Sequence, residues 1–324
     1  MTSINSYQRH VDDEQLTGVL AAAGIEPNRL ASRVELGEAS YNTAYRIRLT
    51  DGSGLVLKVA PDPSMPGLSY ERDLMRTETL FYRTASGALP VPEVVHADFS
   101  RALIDSDFLL MTELPGGNWY ALRDSLAHPD RDRLRRDLGG LVAGLHRITG
   151  PEFGYPHGTT SPSWRTAFLG MLDALLEDAL RWQTPLPRSV TQIRQLIGAN
   201  AYVLDDVTTP VLVHFDLWPG NILLHNGQIT GIVDGERAFW GDPLAEMVSL
   251  ALFGTIEDDT AFLEGYGDIE FDDSARRRLA LYRAYLYLIM LVEGDPRGYS
   301  GPDRESLVKL TSLQLRKALT ELQP

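Results

Sequence analysis

VHFDLWPGNILLHNGQITGIVDGER, residues 213–237, sets a histidine, two aspartates, an asparagine and a glutamate among residues that otherwise read as strand and turn. Asn226-Gly227 is the strongest short hairpin signal, because both central residues of the favoured two-residue turn need positive φ. With those two as the loop, His225 opposes Gln228, and counting outward puts Asn221 opposite Ile232. Asp234 then shares a sheet face with Asn221 as its diagonal neighbour, roughly 7–8 Å away at the backbone. An asparagine oxygen and a carboxylate can thus converge on one ion.

Oxygen ligands, few in number and without a nitrogen or sulfur cluster beside them, suit Mg²⁺, which keeps its waters and shares its shell with nucleotide phosphates. Asp216 precedes Asn221 by five residues, in the irregular Phe215–Gly220 run, where it can accept a proton from an attacking hydroxyl. A base that orients the nucleophile and ligands that hold the leaving phosphates are what phosphoryl transfer requires. A single aspartate beside a Pro-Gly turn is ordinarily a turn residue or cap. The reading rests on the conjunction, in which His214, flanked by Val213 and Phe215, braces the loop.

The constellation resembles the aminoglycoside phosphotransferase and small-molecule kinase family. His214-Phe215-Asp216-Leu217-Trp218-Pro219-Gly220-Asn221 is similar to its His-x-Asp-x(4)-Asn catalytic loop, and Ile232-Val233-Asp234-Gly235-Glu236 to its metal-binding Ile-Asp-x-Glu segment. Gly241-Asp242-Pro243 and the helix after it are also similar, with Glu246 where aspartate is commoner, a difference that bears on a structural contact. The resemblance implies an α+β, two-lobed protein-kinase-like fold with a small antiparallel sheet lobe and a larger helical lobe. It implies Asp216 as catalytic base, Asn221 and Asp234 as Mg²⁺ ligands, and ATP or GTP as phosphoryl donor.

Working outward, Tyr45, Ile47 and Leu49 alternate with Arg46 and Arg48, Asp51-Gly52-Ser53-Gly54 turns the chain, and Leu55–Ala60 returns as a strand. A helix follows near 69–85, then strands at Val94-Val95 and Phe108–Met111, and Leu114-Pro115-Gly116-Gly117 breaks the pattern. Helices dominate beyond it: Leu134, Leu138, Leu141, Val142 and Leu145 share one face, and others are expected near 163–183, 189–204, 244–253, 274–293 and 303–321. Residues 213–237 form an isolated strand pair in these surroundings. We divide the chain into a nucleotide-binding lobe, 1–113, and a helical catalytic and acceptor-binding lobe, 114–324.

On the nucleotide side the resemblance calls for a strand lysine and a helical glutamate to orient it. Lys58 supplies the first; Glu71 and Glu78 both fall on the helix, seven apart on one face, and the family pattern favours Glu78. Ser40 and Asn42 lie in the loop Gly37–Thr43, where phosphates would be covered, and Glu113 and Leu114 at the hinge, whose backbone would bind a purine.

The chain has 324 residues, no cysteine and a formal charge of −14. Disulfides, thiolate metal sites and cysteine nucleophiles are therefore excluded, and a duplex nucleic acid partner is disfavoured for want of a basic stripe. The first ten residues hold no apolar signal core, and the longest apolar run, 284–292, is far shorter than the ~20 residues of a membrane span, so a cytoplasmic monomer or homodimer is expected. Eight acidic residues and no basic one between Glu257 and Asp273 favour a cationic acceptor, which the family resemblance implies is an aminoglycoside or basic peptide antibiotic. Glu257, Asp258, Asp259, Glu236 and Trp164 are the candidate acceptor contacts. Leu145-His146-Arg147, Phe153-Gly154-Tyr155 and the Asp216-Leu217-Trp218 wording instead resemble fructosamine-kinase-type enzymes. A pseudokinase would have lost one of Lys58, Asp216, Asn221 or Asp234, and a protein kinase would carry Asp-Phe-Gly and Ala-Pro-Glu signals; neither pattern is present.

Overall fold

The structure is a computed structural model and describes residues 8–37 and 41–323. Helix α1 (Asp13–Ala22) leads into β1 (Leu30–Glu35), β2 (Thr43–Leu49) and β3 (Gly54–Val59), and α2 (Leu74–Ala85) into β4 (Val94–Asp98) and β5 (Phe108–Thr112). These five strands form an antiparallel sheet in the order β1-β2-β3-β5-β4. Strand alternation gives the sheet two apolar faces. Phe108 and Leu110 pack with Ile47, Leu57 and the α1 residues Leu16, Val19 and Leu20, while Leu109 and Met111 join Met75, Phe81 and Tyr82 of α2 in the main core. The α1 helix was not expected from the sequence, yet its signal is there: Asp12 and Gln15 form a reciprocal capping box.

Beyond the sheet come β6 (Gly117–Asn118), α3 (Trp119–Leu122), α4 (His128–Leu145), α5 (Trp164–Arg181), α6 (Val190–Asn200), β7 (Val211–Val213), β8 (Ile222–His225), β9 (Gln228–Ile232) and β10 (Phe239–Gly241). The chain ends with α7 (Glu246–Leu250), α8 (Thr260–Tyr266), α9 (Asp273–Val292) and α10 (Pro302–Glu321). Helix α9 is central, with buried residues on every side, because α5, α7 and α10 all pack against it. Its Tyr282 accepts the indole N–H of Trp164 at 2.7 Å and donates to Asp242, which also binds Arg278.

The hairpin expected at Asn226-Gly227 forms, with φ of 50° and 73° and His225 opposite Gln228. Two details differ. Thr230 is an extra, unpaired residue, so Leu224 faces Ile229 but Leu223 faces Gly231, and Ile222 rather than Asn221 lies opposite Ile232. The bulged Thr230 donates its hydroxyl to the Pro115 carbonyl at 2.6 Å, a contact an unbroken ladder would forgo. Nor is the strand pair isolated: β6 extends it to three strands, and β7 pairs with β10 beside it.

Candidate active site

The catalytic-loop residues emerge from β7 into a backbone held by buried acceptors. Phe215 takes φ of 63°, and the N–H groups of His214 and Phe215 both donate to the Glu246 carboxylate, at 2.6 and 3.0 Å. Ser249, one turn on, accepts the Leu217 N–H at 3.1 Å. The difference at Glu246 is therefore a structural contact, as expected. His214 is fully buried; its Nδ1 accepts the Asp216 N–H at 3.2 Å, so Nε2 carries the proton donated to the Val233 carbonyl at 2.9 Å. Burial pushes this imidazole below its ordinary pKa, in keeping with a neutral ring that braces the loop.

This loop brings Asp216 and Asn221 together. The Asn221 amide donates to the Asp216 carbonyl at 2.8 Å, which leaves its own oxygen free. The bulge moves Asn221 opposite Val233, whose N–H it accepts at 3.0 Å, and Asp234 follows in a left-handed conformation with φ of 59°. That turn swings Asp234 toward Lys58, which crosses the sheet from β3. The Lys58 ammonium donates to Glu78 at 2.8 Å, Asp234 at 2.7 Å and Glu236 at 3.1 Å. Of the two candidate glutamates, Glu78 on α2 meets the lysine, whereas Glu71, in a 3-10 turn ahead of that helix and not on it as expected, faces Arg297. Tyr82 links the cluster, donating to Glu78 at 2.7 Å and accepting the Asp234 N–H at 3.0 Å. Asn42 donates to Glu236 at 3.0 Å.

Three carboxylates around one ammonium set the protonation states. Burial opposes the charge on Lys58, but Asp234, Glu236 and Glu78 override it and hold the ammonium well above the ordinary lysine range. Burial pushes Glu78 up to about 7 against the pull of Lys58. Burial raises the Asp234 carboxyl, but Lys58, with smaller help from His214 and Arg237, brings it below the usual carboxylate range. Asp216 is pushed up to about 6, by burial first; Arg237 draws it down, and Glu293, Asp234 and Glu236 add to the rise. A base with its pKa near the working pH is suited to accepting a hydroxyl proton.

Asp216 has a neighbourhood the sequence did not announce. Arg237 lies 3.9 Å from it and binds Glu293 at 2.7 Å; Arg297 reaches Glu293 at 3.3 Å and also pairs with Glu71. The signal for Arg237 was its place directly after Asp-Gly-Glu. Glu293 and Arg297 carried none beyond being charges at the end of an apolar helix.

Other candidates lie elsewhere. Ser40 falls outside the described residues. Trp164 is 1% exposed and stacked on Phe239, so it serves the core and offers no face to a ligand. The Glu113 side chain is taken by Arg46 and Arg48, at 2.7 and 2.6 Å, and its N–H donates to the Gly54 carbonyl. The acidic run meets arginines from other helices: Glu257 binds Arg276 at 2.9 Å, and Asp259 binds Arg135 at 2.7 Å while capping α8. Asp258 is exposed. A cavity of about 480 Å³ is lined by Arg276, Arg277, Arg283 and Lys317 as well as Glu257, Asp273 and Glu321, so a local excess of acid does not survive folding there.

The donor set fits a magnesium ion. Asn221 has its amide oxygen free and Asp234 keeps the oxygen that Lys58 does not take. Among the described residues no group of three or more His, Cys, Asp or Glu side chains could by itself hold a metal. A two-ligand protein site completed by waters and phosphates is the ordinary arrangement for Mg²⁺. No helix among the described residues is long and apolar enough to cross a membrane.

The chain is 26% identical over 172 residues to a ketoamine kinase of Enterococcus faecium, covering 48% of this chain and 60% of that one. It is 25% identical over 243 residues to the hygromycin-B 4-O-kinase of Escherichia coli, covering 71% and 66%. Matches to the ketoamine kinases thus span little more than half of those proteins' length. In fold, it resembles a fructosamine-3-kinase from Thermobifida fusca, with a TM-score of 0.68, 22% identity and coverage of 94% of this chain and 100% of that one. It also resembles the aminoglycoside phosphotransferase APH(4)-Ia in complex with ADP and hygromycin B, with a TM-score of 0.63, 20% identity and coverage of 94% and 97%. The expected kinase-like α+β fold is therefore present. Residues 33–282, most of the chain, match the family model, and the protein belongs to the phosphotransferase enzyme family.

Proposed function

We propose that the protein transfers the γ-phosphoryl group of ATP or GTP to a hydroxyl of a small, amine-bearing sugar derivative. The observation that carries this is that Lys58 binds Asp234 and Glu236, whose charges act in turn on Asp216, to which Asn221 is hydrogen-bonded. Residues 1–113 serve as the nucleotide-binding lobe and 114–324 as the catalytic and acceptor-binding lobe, with the donor placing the reaction in the cytoplasm.

The acceptor hydroxyl approaches Asp216, which orients it and takes its proton as the oxygen attacks the γ-phosphorus. Lys58, positioned by Glu78, leaves its carboxylate partners in part to neutralise the donor phosphates. Asn221 and Asp234 would hold Mg²⁺, which when bound supplies further charge neutralisation on the phosphates. Glu246 and His214 fix the backbone that carries Asp216. Such catalysis is mostly positioning and electrostatics, so the pre-formed hydrogen-bond frame is the protein's main contribution.

Two acceptor classes fit. The ion pairs that occupy Glu257 and Asp259 weaken the case for a polycation collected on that run, and favour a glycated amine. The antibiotic-resistance reading keeps support from the hygromycin kinase, whose match extends over 71% of this chain. ADP and GDP release with Mg²⁺, measured on glycated amines, aminoglycosides and basic peptide antibiotics, separates them, with Asp216→Asn as control. Turnover that the variant lacks while still binding nucleotide supports the assignment. Equal turnover by the variant removes Asp216 from the mechanism.

A further inference from the structure

Between β3 and α2 the chain passes through a short 3-10 turn, Ser69–Asp73, that reaches across to the helical region. Both neighbours of Tyr70 are fastened there. Ser69 donates its N–H, at 2.6 Å, and its hydroxyl, at 2.9 Å, to Asp178 of α5, which is 1% exposed. Glu71 pairs with Arg297 and accepts the Leu68 N–H at 2.7 Å. Tyr70 is clamped between these anchors, its ring stacked on Tyr155 with centroids 5.8 Å apart and planes 13° from parallel.

The Tyr70 hydroxyl is buried and has no hydrogen-bond partner among the described residues. Leaving such a group unsatisfied is costly, and native structures rarely tolerate it without a reason. The charged groups that act on this phenol are those of the cluster beside Asp216: Arg237, Glu71, Glu293 and Arg297. Both carboxylates are already engaged by the arginines, and Arg297 Nε is a second buried atom of the cluster without a partner. Two polar atoms of one charged cluster, each buried and without a partner among the described residues, are what a ligand hydroxyl could satisfy.

We propose that Tyr70 is a specificity-determining residue of the acceptor site, its hydroxyl hydrogen-bonding a ring or chain hydroxyl of a carbohydrate acceptor whose reacting hydroxyl lies at Asp216. The inference deepens the phosphotransferase reading and rests on it. A phenol both donates and accepts, as a sugar hydroxyl does, whereas a cationic group here would meet two arginines and no free carboxylate. Burial holds the phenol well above its ordinary pKa, so it stays protonated and able to donate.

Tyr70→Phe tests this with fructosyl-lysine and hygromycin B as probes, measured by ADP release. The variant keeps the stacked ring and loses only the orphan hydroxyl. For the probe turned over, we expect the acceptor KM to rise tenfold or more, with KM for ATP within twofold and the thermal midpoint unchanged or higher. Tyr155→Phe, which removes a hydroxyl bonded to Tyr285 at 3.0 Å, should leave acceptor KM within twofold. An acceptor KM in Tyr70→Phe within twofold of the wild type overturns the assignment of Tyr70 alone. No release from the wild type on these probes or on the wider panel of glycated amines, aminoglycosides and basic peptide antibiotics overturns the phosphotransferase reading and this inference with it.

Discussion

Shortening Glu246 to aspartate, the residue commoner there in the family, should destabilise this protein. Glu246 is fully buried at the start of α7, and its carboxylate accepts the His214 and Phe215 N–H groups at 2.6 and 3.0 Å. Removing one methylene withdraws the carboxylate by roughly 1.5 Å, the length of a C–C bond. Both contacts then pass beyond hydrogen-bond range, and α7, buried along its whole length, has no room to advance. Two buried N–H groups left unpaired cost about 1–3 kcal/mol each, so a loss of about 2–6 kcal/mol follows, a large share of the roughly 5–15 kcal/mol of a typical domain. Urea unfolding measures it as a lower midpoint at unchanged slope. Because the same bonds hold the backbone of Asp216, turnover should also fall tenfold or more while nucleotide binding persists. Glu246→Gln keeps the length and one acceptor oxygen and should lose less. A Glu246→Asp variant within about 0.5 kcal/mol of the wild type, the range of an inconsequential surface change, would refute the reasoning.

The acid limb of kcat/KM should lie near pH 6, where burial places the Asp216 carboxyl, with activity falling tenfold per unit below it; a profile flat down to pH 5 excludes an ionised Asp216 as the base. The sign for stability is opposite: a carboxyl whose folded pKa is raised stabilises the folded state below its unfolded value near 4, and that contribution is lost as pH rises through 6. Lys58→Met leaves Glu78, Asp234 and Glu236 facing one another, so the urea midpoint should fall more at pH 8 than at pH 5, where protonation relieves the repulsion. A loss equal at both pH values would mean that the three carboxylates do not share one field.

Much was legible because it was local. The Asn226-Gly227 turn, the alternation of Tyr45, Ile47 and Leu49, and the spacing of Asp216, Asn221 and Asp234 depend on period and turn chemistry, which a sequence displays directly. The register was off by one at Asn221 because the bulge at Thr230 is stabilised by the Pro115 carbonyl, 115 residues away. Trp164 followed the same limit in reverse: the sequence offered it as an acceptor contact, but packing against Phe239 and Tyr282 showed it to be core.

What the sequence by itself determined is the kind of chemistry, since the residue types and intervals of phosphoryl transfer lie within single segments. Which charges remain free was decided by the tertiary structure. The acidic run from Glu257 to Asp273 contains no basic residue, yet Arg135, Arg136 and Arg276 reach it from α4 and α9. Glu71, Arg237, Glu293 and Arg297 come from three distant stretches to form one chain of ion pairs that reaches Asp216 through Arg237. Charge compensation acts through space over a few ångströms, so no linear count could show which carboxylates were already paired.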